Sequence, residues 1–289
     1  MSIHIRKTGQ LMTLGKNDIM GLIALSKSVG WDYDENDIQT ILSSGIVFGH
    51  KNQDGQIVSC AAIIPYDSYL ASIGMVIVNK EYRGLGLGKE ATDACIRSVP
   101  KKSHIMLIAT QDGIPLYKRM GFKEVDCVHK FSCKQYLLTK YNDSTDLSVE
   151  VFNKDEFERI IELDKEAFGD GREKFLINRI EQSHESLVVR DKKGMIIGYG
   201  LSIFGSMNLI LGPIVAPNQK AASLLIHHLA CNHKGRLRID VPSGQELFME
   251  KLIERGFEEV NQPPIMIYNS DEMPLRHNTL YGIAAQIFG

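Results

Sequence analysis

Residues 80–91 read KEYRGLGLGKEA, three glycines held between an arginine and a lysine. Such a run exposes backbone N–H groups to a phosphate, and its spacing decides which phosphate-bearing ligand fits. A dinucleotide fingerprint, G-x-G-x-x-G, that starts at Gly84 and Gly86 needs its third glycine where the chain has Lys89. A Walker loop, G-x-x-x-x-G-K-[ST], needs a glycine at Arg83 and a hydroxyl at Glu90. Both registers fail. What remains is R-x-x-G-x-G, Arg83 to Gly88, between a β-branched strand and an amphipathic helix. Amides at that helix start converge on a pyrophosphate, the helix dipole adds attraction, and Arg83 and Lys89 supply nearby positive charge. The plainer alternative is a glycine-rich turn that only permits close packing.

Other reactive side chains are scattered. Cys60, Cys95, Cys127, Cys133 and Cys231 are odd in number and never form a CxxC pair, which favours a reduced, cytoplasmic chain over a disulfide scaffold or a zinc site. None stands in an obvious Cys/His/Asp arrangement. His227, His228 and His233 invite a metal, but adjacent helical residues point about 100° apart and no acid is spaced to join them, so no metal is expected.

The elements that must position the loop emerge from a repeat. RMGFKEVD (119–126) recurs as ERGFEEVN (254–261), and GMVIVNKEYRG (74–84) has its counterpart in GPIVAPNQKA (212–221). The offsets, 135 residues from Gly121 to Gly256 and 137 from Val78 to Val215, mark a tandem duplication of one α+β unit. The first copy reads as a strand near Ile3–Lys7, helices from about Asn17 and Glu35, and a meander over 45–50, 57–65 and 71–78. A helix over 86–99, a strand over 104–110, a short helix ending at Gly121 and two closing strands within Lys123–Tyr136 complete it. The second copy repeats this order after a polar linker, TKYNDSTD (139–146). Domains at 1–138 and 147–289 follow, each with a mostly antiparallel, mixed sheet flanked by helices.

Thirty-three basic and 35 acidic residues give a net charge of −2, so neither nucleic acid nor an acidic membrane is an expected partner. MSIHIRKTGQ at the N-terminus is not a secretory signal. Residues 194–219 carry no charge, but their glycines and prolines read as two buried strands rather than a span.

In this context V-x-x-x-x-R-G-x-G-x-G, Val78 to Gly88, resembles motif A of the GNAT superfamily of N-acetyltransferases. LYKRMGF (116–122) is similar to the family's L-Y-x-K-x-G-F segment, with arginine in place of lysine. The resemblance implies acetyl-CoA as co-substrate. Its phosphates would meet Arg83, Gly84, Leu85, Gly86, Leu87, Gly88 and Lys89, and its pantetheine arm the backbone of Val76, Ile77 and Val78. It also implies Tyr117 as the acid that protonates the departing thiolate, and an acceptor site formed by the first two helices. There the loop VGWDYDEND (29–37) offers Trp31, Tyr33 and Asp34, aromatic walls with carboxylates suited to a cationic amine; the alternative is an N-cap with surface acids. Asp126 and His129 lie past the Tyr117 helix and are weaker candidates for the same cleft.

The chain departs from the family at Thr110 and Gly113, where asparagine and alanine are common, and YLASIGMVIV (69–78) has no acid to serve as base. The second copy resembles the divergent C-terminal domain of bacterial tandem GNAT proteins. Ala221, Ser223 and Leu225 replace Gly84, Gly86 and Gly88, and Leu252 replaces Tyr117, so a second acetyl-CoA site is not expected. Asp164, Arg172 and Asp240 either line a ligand cleft there or pair within the domain. The implied activity is acetyl transfer to a small amine such as a polyamine, amino acid or aminoglycoside, with non-catalytic acyl-CoA sensing as the alternative. A homodimer is compatible with the sequence.

Overall fold

The computed structural model describes residues 9–138 and 146–289. The strand expected at Ile3–Lys7 and nearly all of the polar linker lie outside the described residues. The first half runs β1 (Met12–Leu14), α1 (Ile19–Ser28), α2 (Glu35–Ser44), β2 (Ile46–Lys51), β3 (Ile57–Pro65), β4 (Leu70–Val78), α3 (Leu87–Arg97), β5 (His104–Ile108), α4 (Ile114–Arg119) and β6 (Lys123–Cys133). The second half repeats the order: β7 (Ser148–Val151), α5 (Phe157–Phe168), α6 (Glu173–Glu181), β8 (Glu185–Arg190), β9 (Ile196–Phe204), β10 (Leu209–Val215), α7 (Gln219–Ala230), β11 (Leu237–Pro242), α8 (Glu246–Glu254) and β12 (Phe257–Asn261). It ends with β13 (Pro264–Tyr268) and β14 (Leu280–Gly282).

Strand β6 corrects the expectation of two closing strands between Lys123 and Tyr136. KEVDCVHKFSC contains no glycine, proline or asparagine to turn the chain, so it stays extended as one long strand. Its lower part pairs with β13, from Cys127 opposite Pro264 to Lys123 opposite Ile267. Its upper part pairs with β11, from Val128 opposite Pro242 to Cys133 opposite Leu237, and with β12 on the other side. Since β13 also pairs with β5, each half lends a strand to the other, and all the described strands join one mixed sheet.

Side-chain alternation divides the core into layers. Cys60, Ala62 and Ile64 of β3 pack with α1 and α2, while Ala61 and Ile63 pack with α3 and α4. On β6, Val128 joins the α5 layer, and Phe131 and Cys133 join α7 and α8. On β13, Ile265 faces the α5 layer and Met266 enters the core around Tyr117.

Polar clamps fix the second half internally and tie it to the first. The Asp164 carboxylate accepts from Arg172 Nε and Nη2 at 2.7 and 2.9 Å and from the Tyr199 hydroxyl. Arg172 also donates to the Phe288 carbonyl at 3.1 Å and stacks 4.0 Å over Phe168. Asp164 and Arg172 are thus an internal ion pair, as is Asp240 with Arg238. From the second half, the Asp170 carboxylate reaches into the β3–β4 turn and accepts the amides of Ser68, Tyr69 and Leu70, together with its neighbour Gly171.

Burial alone would raise the Asp170 carboxyl pKa, but the amide hydrogen bonds outweigh it and hold the group below its ordinary value. A depressed carboxyl contributes stability that is fully present above the unfolded pKa, near ~3.9, and is lost as pH falls through the folded value. Asp170→Ala should cost about 2–4 kcal/mol at pH 7, since it strands several amides that had a charged acceptor. In urea titrations the gap between wild type and variant should hold from pH 7 to about 5 and shrink below about 4. A gap independent of pH would show that the carboxylate's charge does not matter.

Candidate active site

Strands β4 and β5 are parallel neighbours only from Leu70–Ile73 against His104–Leu107. Beyond that β4 bends away at Met75, whose φ of 50° accompanies a register shift against β3 between Cys60 and Ala62. The bend opens a V. Asn79 donates its amide to Val58 of β3, so strand alternation turns the amides of Val78 and Val76 away from β3 toward the gap. A cleft of about 870 Å³ fills the V. Its walls include Trp31, Val76, Ile77, Val78, Arg83, Gly84, Gly86, Leu87, Gly88, Lys89 and Tyr117.

The glycine loop closes one end of the cleft. Gly84 and Gly86 take left-handed φ values of 81° and 80°, and a Cβ at either would enter open space, the volume a ligand's phosphates would need. Gly86 caps α3, whose first helical bond runs from the Glu90 amide to the Gly86 carbonyl. The amides of Leu87, Gly88 and Lys89 therefore have no intrahelical acceptor and point outward with the positive end of the dipole. Gly88 serves packing: a Cβ there would sit 3.2 Å from Val78 Cγ2, so the helix start rests on β4. Lys89 is paired with Asp93 at 2.6 Å, whereas Arg83 is exposed and makes no ion pair among the described residues. Leu85 does not line the cleft; its side chain is 55% exposed, which leaves only its backbone to contribute.

At the other end stands Tyr117, 7% exposed on α4, a helix started by Pro115. Its ring lies edge-on to Phe122 at 5.8 Å, and Phe122 in turn meets Tyr268 of β13 at 5.4 Å. A Cβ at Gly113 would come within 2.8 Å of Tyr117 Cε2, which explains glycine at a position where the family often has alanine. Thr110 Oγ1 accepts the Gly113 amide at 3.2 Å and so braces the same turn. The Tyr117 hydroxyl has no hydrogen-bond partner among the described residues. Burial, reinforced by Cys95, pushes its pKa well above the ordinary phenol value, so the group keeps its proton at neutral pH.

On the acceptor side the three sequence candidates separate. Trp31 lines the cleft and Tyr33 packs 6.1 Å from it, outside the lining. Asp34 is the N-cap of α2: its carboxylate accepts the Asp37 amide at 2.9 Å in a capping box, the alternative the sequence had offered. The sequence did not single out Lys130 or Arg238. The register places Lys130 of β6 opposite Asp240 of β11, and Arg238 shares that face two residues on. Arg238 is neutralised by Asp240, with Nε 3.0 Å from Oδ1. Lys130 makes no ion pair among the described residues, and burial followed by the nearby Arg238 lowers its pKa. Both cations lie within electrostatic reach of Asp32, and Arg238 also of Tyr33, so the α1–α2 loop faces a charge from its own half, Lys130, and one from the other, Arg238. His129 is turned instead to Glu259.

The corresponding V of the second half is filled by the chain itself. Strands β10 and β11 pair only at Leu209–Ile210 against Leu237–Arg238. In the gap β14 pairs antiparallel with β10, and the Ile283 amide donates to the Asp240 carbonyl of β11. A Cβ at Gly212 would lie 2.1 Å from the Ile283 carbonyl oxygen, so the inserted strand presses against β10. Leu252 is core, and the Ser223 hydroxyl is buried without a hydrogen-bond partner among the described residues.

Residues 18–122 match the model of the acetyltransferase (GNAT) family, and residues 160–282 match a second acetyltransferase (GNAT) domain model. The chain is 36% identical over 281 residues to the uncharacterised N-acetyltransferase YitH of Bacillus subtilis, covering 97% of this chain and 98% of that one. The chain belongs to the GNAT acetyltransferase family. Its fold agrees: a putative acetyltransferase from Pyrococcus horikoshii superposes with a TM-score of 0.81 at 18% identity, over 100% of this chain and 98% of that one. A tandem GNAT protein from the clavulanic acid biosynthesis pathway does so with 0.63 at 12% identity, over 91% and 98%. As a GNAT enzyme the chain is an acyltransferase with two copies of the fold, one with an open V and one with a closed V. No helix among the described residues is long and apolar enough to cross a membrane, and no three of their His, Cys, Asp and Glu side chains gather to hold a metal.

Gly113→Ala should drive a methyl into the Tyr117 ring and cost about 1–3 kcal/mol, read as a lower urea midpoint. A variant as stable as wild type would mean that the ring moves aside freely.

Proposed function

We propose that the first half transfers the acetyl group of acetyl-CoA to the amine of a small molecule. The observation that carries this reading is the convergence on one cleft of outward amides at the α3 start, free amides on the bent end of β4, and a protonated Tyr117. Arg83 and the amides of Leu87, Gly88 and Lys89 suit a pyrophosphate. Val76 and Val78 offer main-chain groups to an amide-bearing arm laid along β4, and one N–H to a thioester carbonyl. The attacking amine nitrogen forms a bond to the acetyl carbon as the carbon–sulfur bond breaks, and the Tyr117 hydroxyl gives its proton to the departing sulfur. No acid lies on β4 to take the amine's proton, which favours a water path out of the cleft.

The acceptor would enter from the α1–α2 loop. Trp31 supplies a face for a cation, and Asp32 a carboxylate beside it. One acetyl-CoA per chain is the expectation, since β14 occupies the second V. All five cysteines are free, which favours a reducing compartment.

CoA release with a panel of polyamines, amino acids and aminoglycosides tests the reading. With an acceptor found, Tyr117→Phe should lower kcat by roughly a hundredfold or more, with little change in acetyl-CoA affinity. Gly86→Val should weaken acetyl-CoA binding at least about tenfold, because it fills the phosphate space and strains φ, whereas Ser223→Val should not. Acetyl-CoA binding without CoA release for any amine, unaffected by Tyr117→Phe, would make the chain an acyl-CoA binder.

A further inference from the structure

Cys127 and His129 stand two residues apart on β6 and therefore on one face of the sheet. The strand exchange brings two second-half residues to them, Ser243 after β11 and Glu259 on β12. Glu259 Oε1 lies 2.6 Å from His129 Nδ1, and the Gln262 side chain donates to that same oxygen at 2.8 Å. The carboxylate fixes the imidazole with its proton on Nδ1 and leaves Nε2 as the basic nitrogen. Nε2 lies 3.7 Å from Cys127 Sγ and 3.4 Å from Ser243 Oγ.

Proton bookkeeping selects the sulfur. Ser243 already donates its hydroxyl proton to the Cys127 carbonyl at 3.1 Å, so the thiol proton is the one left for Nε2. Ser243 Oγ is also 3.1 Å from Sγ and can turn its proton to the sulfur once the thiol ionises. The cluster is reachable: the His129 and Glu259 side chains are 16% and 33% exposed, and Cys127 is half-buried.

We propose that Cys127 is a nucleophilic thiol, activated by His129 and Glu259, that reacts with low-molecular-weight disulfides. His129 Nε2 takes the thiol proton as Sγ attacks one sulfur of the disulfide. A new Sγ–S bond forms, the old S–S bond breaks, and the departing thiolate takes the proton back from the imidazolium. Cys127 ends as a mixed disulfide and one free thiol is released. Neither Cys127 nor His129 lines the acetyl-transfer cleft, and the thiol chemistry does not depend on the roles assigned there.

The chain has its own comparator. Cys60, Cys95 and Cys133 are buried, while Cys231 is half-buried like Cys127, but among the described residues its sulfur hydrogen-bonds only the His228 carbonyl, at 3.7 Å. Intact protein at pH 7.5 is treated with iodoacetamide, and separately with oxidised glutathione, and each cysteine is followed by peptide mass spectrometry. Cys127 should react roughly tenfold or more faster than Cys231, and His129→Gln should remove that advantage. Glu259→Gln, at a more exposed site, should slow Cys127 as well and serves if His129→Gln does not fold. The proposal is overturned if Cys127 reacts no faster than Cys231, or if its rate is unchanged in every variant that folds.

Discussion

Strand β6 has to pair with three strands of the second half at once, and the arrangement of the molecule follows from that. Eleven residues without a turn signal run from a ladder with β13 into ladders with β11 and β12. Main-chain groups in a sheet interior need partners, so each half can complete its sheet only with the other's strand. The Tyr117 end of the cleft inherits this dependence. Met266 of β13 packs in the core that holds Tyr117, and Tyr268 backs Phe122, against which the Tyr117 ring rests. The second half thus forms part of the wall behind the proposed acid.

The same need for backbone partners separates the two Vs. Where parallel strands part, each exposes a row of unpaired main-chain groups. In the first half the bend at Met75 leaves the inner edge of β4 facing an open cleft. In the second, β14 supplies the missing partner to β10, and Ile283 ties it to β11. An inserted strand is bound at no translational cost, because it belongs to the chain. A free ligand would have to displace it, and at the start of α7 the Asn218 side chain already accepts the Ala221 amide.

What was legible in the sequence was local. The register of KEYRGLGLGKEA, the place of Tyr117 and the order of elements in both copies depend on spacing within single segments, and helix and strand periodicity carry that far. Asp34 was legible in both of its readings, and the local rule of capping prevailed. The strand exchange was not, because residues 123–133 look the same whether their partners come from their own half or the other. Lys130 facing Asp240 and Cys127 beside Ser243 rest on register across more than a hundred residues. The absence of an obvious Cys/His/Asp grouping in the sequence was a statement about neighbours along the chain; the acid that orients His129 comes from β12.

The C-terminal stretch joins these constraints. Residues 280–282 fill the second V, and five residues later Ile287 packs where Gly74 has no side chain, so close that a Cβ at Gly74 would sit 2.5 Å from its Cγ1. Ser72 of β4 donates to the Ile287 carbonyl at 2.7 Å, and Tyr66 to the Phe288 carbonyl at 2.6 Å. These contacts fall just before Met75, at the point where β4 leaves β5. The left-handed backbone of a non-glycine residue costs about 1 kcal/mol or more and persists only where its surroundings impose it. The segment that closes one V therefore braces the bend that opens the other. That gives the second copy a structural role in the first copy's cleft, independent of any ligand of its own.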